Sequence, residues 1–203
     1  MCADLPGVII AGGRATRMGG GDKGRLLAGP HSLIAHVIAR LAPQCGPLAL
    51  NANGAPDRFA DLSLPVLPDS IDGQPGPLAG VLAALDWTAA MGVDAVVTVA
   101  GDTPFLPADL AMRLTQAAGP AGSAIAASPD ATGILRRHPV IGLWRTDARD
   151  DLRAALNGGL RKPGEWAARQ GAVIVTWPSR PIDPFFNVNT SEDLARANAM
   201  IAG

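Results

Sequence analysis

Cysteine is nearly absent from this chain. Its 203 residues include two, Cys2 and Cys45, too few for a disulfide framework, and a cytoplasmic protein with free thiols is expected. Histidine is as scarce. His31, His36 and His138 have no His-x-x-x-His spacing, which argues against a His/Cys zinc site. No apolar run approaches the roughly 18 residues of a transmembrane helix. Residues 1–7 lack the basic region of a signal peptide. Neither sign of charge is in excess. Against 17 Lys and Arg stand 18 Asp and Glu, a net charge of −1, and this balance argues against a nucleic-acid coat or a polybasic membrane binder.

What the chain does have is apolar surface and turn residues. Hydrophobic residues make up 48%, too many for a disordered chain. Its 24 glycines and 18 prolines are about a fifth of the residues, against about an eighth in average usage. That excess reads as tight loops between short elements. Residues 7–11 (GVIIA) form a buried first strand, and 95–100 (AVVTVA) the clearest strand in the chain. Further strands are expected at 48–51, 66–67, 123–128, 134–137, 140–144 and 172–176. Helical spacing marks 32–41, 78–91, 108–118 and 150–156, with Pro43, Gly92 and Gly119 as stops. Thr190 followed by Asp193 is a capping-box pattern opening a last helix. This alternation predicts an α/β fold: a single Rossmann-like domain over 1–203, with a mostly parallel sheet and helices on both faces. Ligands of such sheets bind beyond the carboxyl ends of the strands.

Three loops follow such strand ends. Residues 12–23 (GGRATRMGGGDK) are dense in glycine, so backbone N–H groups can approach an anion, and Arg17 and Lys23 add cations. The loop is a triphosphate cradle or a flexible loop with solvated charges. Residues 19–24 match G-x-G-x-x-G, but no strand feeds them directly and no acidic residue stands about 20 positions on, so the dinucleotide reading fails. A Walker A loop needs Gly-Lys-Ser/Thr, and Lys23 precedes Gly24. Asp102 follows the strongest strand, where a carboxylate suits Mg²⁺ or simply caps a turn. Asn187 and Asn189 share a side if their segment is extended; they bind ligand or only serve the start of the last helix.

Taken in order, Ile10-Ala11-Gly12-Gly13, Arg17-Met18-Gly19, Asp22-Lys23, 75–80 (PGPLAG), Asp102-Thr103-Pro104 and Asn187-Val188-Asn189-Thr190 resemble the molybdenum cofactor guanylyltransferases. The resemblance runs from Gly7 to Leu194. Its first motif alone marks only the wider nucleotidyltransferase superfamily; the Asn-Val-Asn-Thr ending with Arg137-His138-Pro139 is more specific. It implies that Ile10, Ala11, Gly12, Lys23, Asn51 and Asp69 contact the guanine nucleotide, with Gly13 in the same loop. Asp102 would touch both nucleotide and Mg²⁺, and Asn187 and Asn189 would belong to the active site. The chain departs from the family pattern at Ala100-Gly101, where Pro-Cys is common.

The implied reaction joins GTP to the terminal phosphate of metal-loaded molybdopterin, releasing pyrophosphate and forming a guanine dinucleotide. Such a phosphate is mostly dianionic at neutral pH, with a second pKa near 6, so no general base is needed. Mg²⁺ on Asp102 would hold the anions together while Arg17 and Lys23 balance the leaving group. Arg136, Arg137, His138, Arg161 and Lys162 meet the pterin or are ordinary surface charges. Molybdenum-insertion proteins and molybdoenzyme chaperones would be the partners of such an enzyme. The alternatives are a CTP-dependent cytidylyltransferase, another sugar- or alcohol-phosphate nucleotidyltransferase, and a non-catalytic carrier of the finished cofactor.

Overall fold

The computed structural model describes residues 4–12, 22–71, 76–119 and 122–202. Four parallel strands form one half of its main sheet. These are β1 (Gly7–Ile10), β4 (Leu48–Asn51), β5 (Val66–Leu67) and β6 (Ala95–Ala100), placed side by side in the order β5-β4-β1-β6. The other half is β8 (Leu135–Arg145), β7 (Ala124–Pro129) and β9 (Val173–Thr176). Here β8 runs antiparallel to both β6 and β7, and β9 is parallel to β7. A two-stranded hairpin, β2 (Leu27–Ala28) and β3 (His31–Ser32), stands apart from this sheet.

Alternation explains why the strands are apolar throughout. Val8, Ala49 and Val96 point to one face, where α2 (Pro77–Ala90), α4 (Arg149–Asn157) and α5 (Pro163–Arg169) pack. Ile9, Leu50 and Val97 point to the other, against α1 (Leu33–Leu41) and α3 (Leu110–Ala118). A strand covered on both faces needs no polar side. Helix α2 follows the same logic: nine of its 14 residues are buried, because it lies between the sheet and α4. The last helix, α6 (Ser191–Ala202), seals the β2–β3 hairpin through Ala28, Leu33, Val188 and Ala197.

The expected α/β architecture with helices on both faces is found, with corrections of detail. Segments 134–137 and 140–144 are one strand, β8. Pro139 lies within it, past Gly142, where pairing with β6 stops, and at the register shift of the β7 pairing. A residue without an N–H is tolerated there. Helix α5 and the β2–β3 hairpin were not expected. The capping box at Thr190 is present: Asp193 N–H donates to Thr190 Oγ1 at 3.1 Å, and Thr190 N–H to Asp193 Oδ2 at 3.0 Å.

Register places the site. Ile10 lies opposite both Asn51 and Ala100, so β1, β4 and β6 end level. The residues that follow, Ala11-Gly12, Ala52-Asn53 and Gly101-Asp102, open together on one rim. The chain steps outward from β1 to β4 and β5, then crosses back to β6 on the other side of β1. That reversal is the crevice where open α/β sheets bind ligands.

Candidate active site

A cleft of about 650 Å³ occupies this rim, a volume typical of small-molecule sites. Ile10, Gly12, Asn51, Asp69, Asp102 and Asn187 line it, as do Asp22, Asn53, Arg58 and Val140. Of the residues singled out in the sequence, Gly13 and Arg17 lie outside the described residues. Ala11 is buried behind the cleft in the core.

One end of the site is organised by a buried lysine. Lys23 is 9% exposed and opens a one-turn 3-10 helix, Lys23–Arg25. Its Nζ donates to Asp102 Oδ2 at 2.5 Å, to Asn189 Oδ1 at 2.5 Å and to Asn187 Oδ1 at 3.2 Å. An ammonium has three N–H donors, and all three are committed. The sequence expectation made Lys23 a counter-charge for pyrophosphate; its position in the structure is that of a tie joining two loops. Val188 N–H also donates to the Asp102 carbonyl at 3.0 Å. Fully buried Val188 points into the α6 cluster, while the asparagines on either side of it turn to Lys23.

Asp102 Oδ2 is engaged by Lys23, but its buried Oδ1 has no hydrogen-bond partner. Among the described residues no three His, Cys, Asp or Glu side chains could together hold a metal. A single unpartnered carboxylate oxygen is a donor Mg²⁺ can use, since that ion takes one or two carboxylates and completes its shell with phosphate oxygens and water. Gly101 sits tightly: a Cβ there would lie 3.3 Å from the Ala11 Cβ, and its N–H donates to the Ile10 carbonyl at 2.9 Å.

The other end is built on Asp69. Its Oδ1 accepts from Asn51 Nδ2 at 3.0 Å and its Oδ2 from Asn53 Nδ2 at 2.7 Å. Asn51 reaches it because residue 80 is glycine; a Cβ there would collide with Asn51 Oδ1. Arg58 supplies a cation to this wall, ion-paired to Asp22 at 3.0 Å. Asn53 and Arg58 were not singled out in the sequence. Asn53 had a signal, since it stands two residues beyond Asn51 on the same alternating side; Arg58 had none.

None of the second-half basic residues lines this cleft. Arg136 pairs with Asp130 at 2.8 Å, and Lys162 with Glu165 at 3.1 Å. Arg161 donates to the carbonyls of Leu156 and Leu160 at the end of α4. His138 contacts Ser128 Oγ at 2.9 Å. Burial lowers its pKa below the usual 6.5, against the opposing pull of Asp183. Three tryptophans of the second half are structural: Trp144 and Trp166 are buried, and Trp177 donates to Asp109 at 2.7 Å.

A charged cleft at the carboxyl ends of a mostly parallel sheet is the form of a nucleotidyltransferase, and residues 7–180 match the MobA-like NTP transferase domain. Proteins described as molybdenum cofactor guanylyltransferase are similar over nearly the whole length. That of Bradyrhizobium sp. is 52% identical, covering 98% of this chain and 93% of its own. That of Nitrobacter hamburgensis is 50% identical over 100% and 98%. The chain therefore belongs to the molybdenum cofactor guanylyltransferase family. Two solved structures share the fold. Molybdopterin-guanine dinucleotide biosynthesis protein A of Archaeoglobus fulgidus has a TM-score of 0.72 at 23% identity, over 98% of this chain and 99% of that one. The 4-diphosphocytidyl-2C-methyl-D-erythritol synthase of Anaerococcus prevotii has a TM-score of 0.73 at 12%, over 100% of each. Since one fold carries both names, base and acceptor must be argued from side chains.

Proposed function

We propose that this enzyme transfers GMP from GTP to the terminal phosphate of metal-loaded molybdopterin. One oxygen of that phosphate attacks the α-phosphorus, the bond to the β-phosphate breaks, and pyrophosphate leaves. The attacking oxygen is already anionic, so the site has only to position and neutralise the two anions. Asp102 Oδ1 is the atom that would hold Mg²⁺, which supplies charge neutralisation between the phosphates when bound. Asn187 and Asn189, drawn together by Lys23, keep the loop beside that carboxylate in place.

The observation that carries the choice of GTP is the Asp69 carboxylate on the cleft wall. An ionised carboxylate has about four acceptor positions. Asn51 and Asn53 each occupy one on a different oxygen, which leaves one on each oxygen for the N1–H and the amino group of guanine. Cytosine presents an acceptor, N3, between its amino and carbonyl groups, and an acceptor facing a carboxylate is repelled. The test is incubation with metal-loaded molybdopterin, Mg²⁺ and each nucleoside triphosphate in turn, with products identified by mass. A guanine dinucleotide formed from GTP alone is the expected result; turnover of CTP in its place overturns the reading.

A further inference from the structure

Asn53 grips Asp69 twice. Its Nδ2 donates to Asp69 Oδ2 at 2.7 Å, and its Oδ1 accepts from the Asp69 backbone N–H at 2.9 Å. One side-chain amide thus ties the carboxylate to its own backbone and fixes both the rotamer and the position of the loop. Asn51 holds the other oxygen but does not touch the Asp69 backbone; its second bond goes to the Leu67 carbonyl at 3.1 Å.

Asn53 is itself held. Its carbonyl accepts from Arg58 Nη2, and the Nε of Arg58 is paired with Asp22 at 3.0 Å. Gly54 makes that arrangement feasible. It lies at φ 90°, and a Cβ there would stand 3.1 Å from Arg58 Nη1. A chain of polar contacts therefore runs from Asp22, next to Lys23, through Arg58 and Asn53 to Asp69.

We infer that Asn53 is a positioning residue for selection of the base, an inference that rests on the reading of Asp69 as the acceptor for guanine. A carboxylate pinned at one oxygen can still swing about its terminal torsion, which is broad and shallow. Pinned at both oxygens and at its backbone, it presents its two unused acceptor positions to the ligand at all times. Two parallel bonds to guanine need that edge aligned, whereas a single bond tolerates rotation. Loss of Asn53 should therefore cost the bond to the exocyclic amino group while sparing much of the rest of nucleotide binding. Hypoxanthine keeps N1–H and lacks the amino group, so inosine triphosphate reads that bond in isolation.

The experiment is calorimetric titration of GTP and ITP, each with Mg²⁺, into the full-length wild type and the Asn53→Ala, Asn53→Asp and Asp69→Asn variants. One charge-assisted hydrogen bond corresponds to a preference for GTP over ITP of roughly ten- to a hundredfold. In Asn53→Ala that preference should fall by about tenfold, mainly through weaker GTP binding. Asn53→Asp keeps the shape, removes the donor and sets a second carboxylate against Asp69, so it displaces the acceptor edge and lowers the preference at least as far should the alanine variant not fold. Equal weakening of GTP and ITP would mean a merely structural role and would overturn the inference. So would an unchanged preference in folded Asn53 variants while Asp69→Asn abolishes it. If Asp69→Asn also leaves the preference intact, the reading of Asp69 as the base acceptor fails, and the inference falls with it.

Discussion

Lys23 touches one carboxylate and two amide oxygens, and removing it has two separable consequences. Asp102 Oδ2, Asn187 Oδ1 and Asn189 Oδ1 would face one another without a donor. Breaking a mostly buried pair on one side costs about 3 kcal/mol, or roughly 6–12 °C in melting temperature for a chain of this size. Lys23→Ala should also lower turnover by roughly 10²–10³, the usual cost of disturbing a preorganised electrostatic group. Thermal melting and steady-state kinetics on the same preparation check both, and an unchanged melting temperature would contradict the tie. At this scale the sequence identifies the participants. Lys23, Asp102, Asn187 and Asn189 each follow a strand or glycine loop, or precede a helix start. Their contact is not legible, because Lys23 is 79 to 166 residues away from its partners. Arg58 illustrates the complement: nothing in residues 56–62 announces a cleft, and the arginine lines one because its 3-10 helix, Pro56–Leu62, follows the end of β4 and is anchored in the core by Phe59.

Among the elements, helix α6 is the best foretold, and its start is coupled to the site. Asp193 Oδ2 accepts from the N–H of Thr190 and also from the N–H of Asn189, both at 3.0 Å. The carboxyl is itself shifted: burial raises its pKa, but the bonds from Asn189 and Thr190 and the nearby Arg196 outweigh that and hold it below 3.8. Asp193→Ala should cost about 1 kcal/mol as a lost cap and should also reduce turnover, since Asn189 loses its backbone anchor. Denaturant unfolding and GTP turnover measure the two effects, and full activity alongside reduced stability would show that the cap and the site are independent. Other elements are masked in the sequence for local reasons. Pro139 suggested a break in β8, although it occupies a stretch whose pairing with β6 has already ended. Helix α5 leaves no clear periodic signal because it is seven residues long, contains Gly164, and buries only Trp166 and Ala167.

For the molecule as a whole, the cleft lies between loops from both halves of the sheet, and a nucleotide bound across it should hold them together. Any ligand that binds only the folded state stabilises it, by about 2.7 kcal/mol at a hundredfold excess over Kd. With Mg²⁺, GTP at that excess should raise the melting temperature by roughly 5–10 °C, and CTP at the same concentration should raise it little. Differential scanning fluorimetry with each nucleotide is sufficient, and an equal rise with CTP would count against base selection by Asp69.

The sequence by itself determined the α/β alternation, the buried strands, the cap of α6 and the motifs that carry the family resemblance. All of these are written in residues close together along the chain, where periodicity and turn chemistry act. Only the tertiary structure decided that β1, β4 and β6 end level, that β8 enters the sheet antiparallel, and that Lys23 gives all its donors to protein oxygens. It alone decided that Asn53 clamps Asp69, and that the basic residues of the second half lie away from this cleft. Those outcomes depend on strand order, register and the packing of helices on two faces, which bring together groups that no local pattern can pair.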